Sequence, residues 1–232
     1  ALHYFFENNT TLENFISNVV ECTKLGGYFI GTSYDGNKLF NMLSEIEKDE
    51  SITLRDNDNK LMWELTKKYN KNEFNNDSSC IGYPVDVYQE SINKTFTEFL
   101  VNYEYFNALM NTYGFILVSK EEIEIMGLPT SSGLFSDLYK LMKDDYNISS
   151  QYKLGTSLNM SDNEKTISFL NRYFIYKKVR KYTGNIEIIK LKEDSDNSSE
   201  TIIISEDKNK SESDEFEDEN DKNEKNENDE DS

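Results

Sequence analysis

The chain has 232 residues, room for one domain of ordinary size plus an extension, and a formal charge of −19. Residues 193–232 hold 18 acidic and 4 basic side chains, whereas residues 1–192 carry a net of only −5, which argues against a broad nucleic-acid groove but leaves room for a pocket gripping one base. Two cysteines, Cys22 and Cys80, without a CxxC pairing, and one histidine, His3, exclude a disulfide framework and a multi-histidine metal centre in this chain.

The chain opens abruptly on Ala1-Leu2-His3-Tyr4-Phe5-Phe6, an apolar and aromatic run with no polar lead and no initiator methionine, as expected of a piece of a longer protein. Leu12, Phe15, Ile16 and Val19 recur at helical spacing after Thr11 and predict a helix ending near Lys24, where Gly26-Gly27 supplies a left-handed stop. Tyr28–Thr32 then reads as a short buried strand closed by Tyr34-Asp35-Gly36. Helix, glycine turn and apolar strand together suggest half of a βαβ crossover and hence a parallel sheet.

A second helix is expected over Lys38–Ile46, followed by candidate strands at Ser51–Leu54 and Leu61–Leu65, a polar loop at Asn70–Ser79 and an extended run over Val85–Ile92. The strongest helical pattern covers Thr97–Tyr113 and stops at Gly114. Phe115–Val118 reads as a strand of buried type, Gly133–Tyr146 as a helix and Ile167–Lys177 as a last strand. This alternation suits a three-layer α/β sandwich over residues 1–182. Residues 183–232 form an acidic tail; past Ile204 it has Phe216 as its one large apolar residue, so it is expected to be mostly disordered, apart from a short strand at Thr201–Ile204. No apolar run is long enough to cross a bilayer and none reads as a signal peptide, so no membrane partner is expected and a reducing, intracellular setting is expected.

Ala1-Leu2-His3-Tyr4-Phe5-Phe6-Glu7, then a helix, then Gly26-Gly27-Tyr28-Phe29-Ile30-Gly31-Thr32, resembles the mRNA cap guanine-N7 methyltransferase family. That family shows a Phe-Ala-Leu-His-Tyr-x-Phe-Glu segment ahead of a Pro-Gly-Gly-Tyr-Phe-Ile-Gly-Thr strand. Thr97-Glu98-Phe99-Leu100-Val101 is similar to its Pro-Glu-Phe/Tyr-Leu-Val block, and the run from Met160-Ser161 to Phe174-Ile175-Tyr176-Lys177 to its last strand. Tyr34-Asp35-Gly36-Asn37-Lys38-Leu39 looks closest to the capping enzymes of large DNA viruses.

The resemblance implies the C-terminal portion of a class I (Rossmann-like) methyltransferase, with S-adenosyl-L-methionine as donor and the capped 5′ end of mRNA as acceptor. Other capping activities would belong to the same longer chain, in a viral factory, virion or host cytoplasm if viral and in the nucleus if cellular. By the resemblance His3 and Tyr4 contact the cap guanine and Glu98 takes its Watson–Crick edge. Tyr88 stands where the family often has a cap-contacting phenylalanine. Tyr34 stands where it usually has proline, and Asn171 where its last strand has tyrosine, with Tyr173 as a candidate substitute. The chain has no Gly-rich loop followed by an acidic residue, so most of the cofactor site is expected upstream of Ala1. Two other readings stay open: a noncatalytic stimulatory subunit with a methyltransferase-like fold, and a class I methyltransferase acting on a small molecule.

Overall fold

The computed structural model describes residues 2–148 and 157–183; the tail and the strand expected at Thr201–Ile204 lie outside the described residues. Leu2–Glu7 forms a 3₁₀ helix that buries Leu2 and Phe6. Helix α1 (Asn9–Cys22) starts two residues before Thr11, because the Asn8 side chain accepts from the Thr11 amide at 2.9 Å and caps it. After it, Gly26 turns the chain at a φ of 78° into β1 (Tyr28–Tyr34). Within β1, a Cβ at Gly31 would stand 2.5 Å from Phe174, so only glycine lets that ring cross the strand.

The remaining strands are β2 (Ser51–Arg55), β3 (Leu61–Lys67), β4 (Pro84–Gln89), β5 (Lys94–Phe99), β6 (Phe115–Leu117), β7 (Ser132–Leu134) and β8 (Asn171–Lys178). One sheet runs β1-β8-β6 with β7 also on β8, and the other is the meander β2-β3-β4-β5. Every strand pair among the described residues is antiparallel, which corrects the parallel sheet expected around β1. A helix-then-strand pattern dictates a parallel neighbour only if a strand precedes the helix; here β1 pairs instead with β8, the last strand described.

Alternation along β1 and β8 sends Phe29, Phe174 and Tyr176 to one face, where they meet Leu12 and Ile16 of α1 and Phe106 and Met110 of α3 (Tyr103–Thr112). Ile175 points the other way, onto Val118 and onto Ile123 of α4 (Lys120–Ile125). Helices thus cover both faces, the three-layer arrangement the pattern called for. The second sheet packs Trp63, Leu65, Val85 and Val87 against Leu39 and Leu43, around α2 (Gly36–Met42). Two buried lysines close helix ends: Lys67 donates to the carbonyls of Leu43 and Ile46, and Lys178 to those of Val20 and Thr23.

Side-chain caps moved several boundaries. Asp35 caps α2, which begins at Gly36 and ends at Met42 rather than Ile46. Asn102 caps α3, so the helix expected from Thr97 starts at Tyr103 and Thr97, Glu98 and Phe99 belong to β5. Gly133 sits in β7, and the helix expected from it is α5 (Phe135–Ile148). Ser161 and Glu164 form a capping box that starts α6 (Asp162–Ser168), which shortens the final strand to β8.

Candidate active site

The register of β4 and β5 pairs Val85 with Glu98, Val87 with Phe96 and Gln89 with Lys94. The period of two therefore puts Glu98, Phe96 and Lys94 on the face that carries Val87 and Gln89. The 3₁₀ helix lies over this edge of the sheet and brings His3 and Tyr4 to it. Between them is an open hollow of about 270 Å³ walled by His3, Tyr4, Gln89, Phe96 and Glu98.

Its electrostatics follow from burial. Nε2 of His3 stands 3.6 Å from Oε1 of Glu98, near enough for an ion pair but too far for a hydrogen bond, and both side chains are largely shielded from water. Burial disfavours either charge, lowering the His3 imidazole to about 4 and raising the Glu98 carboxyl to about 7. Near neutrality the imidazole is therefore neutral and no ion pair forms. Both His3 nitrogens are buried without a hydrogen-bond partner, and among the described residues no donor reaches the Glu98 carboxylate. Buried polar groups left open are uncommon and ask for a ligand or a reason. Tyr4 meets the His3 ring edge-on at 4.3 Å between centroids and is 42% exposed; Phe96 is 38% exposed, so two aromatic surfaces face the hollow.

The other three candidate residues lie elsewhere. Tyr88, between Val87 and Gln89, points to the opposite face of the sheet and its hydroxyl donates to Asn93 Oδ1 at 3.2 Å. Tyr34 is buried behind the wall, its hydroxyl accepting from Gln89 Nε2 at 2.9 Å and Trp63 Nε1 at 3.2 Å, so it steadies Gln89 without facing the hollow. Tyr173 shares a face of β8 with Ile175, away from the 3₁₀ helix, and its hydroxyl is held by Thr130 at 2.9 Å. Asn171 is spent on the carbonyls of Ile167 and Ser168 at the end of α6. Gln89, Phe96 and Lys94 had no place among the expected contacts. Phe96 and Lys94 are two and four positions before Glu98, a signal legible only once this stretch is recognised as strand.

The model of the mRNA (guanine-N(7))-methyltransferase domain matches residues 1–179. The chain belongs to that family. A probable mRNA-capping enzyme of Acanthamoeba polyphaga mimivirus is 29% identical over 126 residues, which is 52% of this chain but 10% of the viral protein. The chain thus spans a small part of that relative's length. S-adenosylmethionine is the methyl donor of the guanine-N7 methyltransferase family. Among the described residues, a second hollow of about 220 Å³ lies beside β1, but its walls are Leu2, Phe5, Phe15, Phe29 and Phe174 with Thr32, without the acidic partner a ribose requires.

Proposed function

We propose that the complete protein transfers a methyl group from S-adenosylmethionine to N7 of the cap guanine of GpppN-mRNA, and that this chain contributes the guanine pocket. One observation carries the reading: Glu98 and His3, both largely shielded from water and without side-chain hydrogen-bond partners among the described residues, converge on one hollow flanked by exposed aromatic faces. Guanine offers N1–H and an exocyclic amine side by side, the two donors a carboxylate lacks here. Adenine presents an acceptor at N1 and would oppose the same carboxylate. The residues upstream of Ala1 are proposed to hold most of the methyl donor, and the other capping activities to reside on the same longer chain.

Guanine N7 is unprotonated near neutrality and already nucleophilic, and the donor supplies a methyl activated by its sulfonium charge, so no general base is required. The work left to the protein is orientation of N7, which can supply much of the acceleration. As N7 is alkylated, positive charge spreads over the purine. The Glu98 carboxylate at N1–H and the amine then binds more strongly than in the ground state, and the faces of Tyr4 and Phe96 suit a cationic ring. His3 borders Glu98 as a neutral group, which avoids drawing off the charge the guanine needs.

The test is product formation by the complete protein on GpppA and on ApppA with the methyl donor. N7-methylguanosine is expected from GpppA, with ApppA turned over about 10³-fold more slowly or not at all. Equal methylation of both dinucleotides, or none of either, would overturn the proposal.

A further inference from the structure

Glu98 and His3 account for the inner end of the hollow, but its outer end carries a cation with no assigned task. Lys94 lines the rim and is exposed. The other lysines of this sheet are engaged: Lys60 with Glu90, Lys68 with Asp49, and Lys67 with two helix-end carbonyls. Among the described residues the Lys94 side chain has no ion pair or hydrogen bond. Its place is fixed by the hairpin. The Asn93 amide donates to the Gln89 carbonyl at 2.8 Å, Asn93 takes a left-handed φ of 54°, and Lys94 then pairs across from Gln89.

Along β5 the hollow therefore reads carboxylate, aromatic ring, ammonium on alternate residues, with about 13 Å of strand rise from Glu98 to Lys94. A nucleoside whose base edge meets Glu98 and whose ring meets Phe96 directs its ribose away from the carboxylate. We propose that Lys94 binds the 5′-phosphate chain of the guanosine, making the hollow a site for a guanosine 5′-polyphosphate and not for a free base. This rests on the reading that Glu98 holds the guanine. A surface lysine on an edge strand also serves to discourage pairing with another chain, and that role would leave ligand affinity untouched.

The experiment measures binding of guanosine and of GpppA to the complete protein, for wild type, Lys94→Ala, Lys94→Arg and Glu98→Gln, each at two salt concentrations. Lys94→Ala is expected to weaken GpppA about tenfold, to change guanosine less than about twofold, and to flatten the salt dependence of GpppA binding. Lys94→Arg should restore most of the loss. Unchanged GpppA affinity in Lys94→Ala, or equal loss for both ligands, overturns the phosphate role. If Glu98→Gln binds guanosine as well as wild type, the guanine reading falls instead, and the Lys94 arm still reports on the phosphates separately.

Discussion

At the scale of single residues, the protonation of Glu98 is the most informative property of the site. Its carboxyl sits at about 7, raised by burial, and ligand donors at N1–H and the amine favour the ionised form. In the proposed pocket, guanine binding therefore releases a proton whenever the free carboxyl is protonated. Below pH 7 the affinity of GpppA is expected to fall by about tenfold for each pH unit, and to level off above it. His3, lowered to about 4, stays neutral across this window and does not offset the effect. Calorimetry in two buffers of different ionisation heat measures the proton directly. A protonated carboxyl also offers one donor that matches adenine N1, so discrimination against ApppA should narrow on the acid side. An affinity flat from pH 6 to 8 would show that Glu98 does not face the base edge.

Among the elements, the junction of β1, α2 and β8 is held by a buried polar network. Asp35 is 4% exposed, caps α2 through the Lys38 amide at 3.0 Å and accepts from Arg172 Nε at 2.6 Å. Arg172 in turn lies over the Tyr103 ring, whose hydroxyl meets Ser33 Oγ at 2.7 Å. Asp35→Ala strands a guanidinium that is only about a quarter exposed and removes a cap, so a loss of about 2–4 kcal/mol is expected in denaturant unfolding, with Asp35→Asn costing less because it keeps the cap. Such junctions explain what the sequence could and could not tell. Gly26 and the apolar run after it mark β1, and the strands at Ser51 and Leu61 are legible, because turn chemistry and alternation are local. The start of α3 falls later than the apolar spacing predicts, because Phe99 and Leu100 continue the helical spacing while the cap that sets the boundary is Asn102. A helix over that stretch would carry Glu98 and leave Phe96 and Lys94 without a shared face; the strand gives them one. Likewise the direction of Tyr88 and of Tyr173 depends on strand parity, which no motif states.

For the whole molecule, composition separates a folded portion from an acidic extension that holds most of the charge. Deleting Glu206–Ser232 from the complete protein should leave methyl transfer to GpppA within about tenfold of wild type, roughly 1.4 kcal/mol in the barrier. A larger loss would assign the tail a part in catalysis. Whether the proposed guanine pocket rests on Glu98 is decided by Glu98→Gln in the complete protein, with methylation rate and thermal midpoint measured side by side. The amide can turn only one acceptor toward two guanine donors, so the rate should drop by about 30- to 1,000-fold, on the order of 2–4 kcal/mol, while the midpoint holds or rises because a buried ionisable group is gone. Turnover that survives while the midpoint falls would make Glu98 a structural residue and contradict the assignment of the guanine pocket.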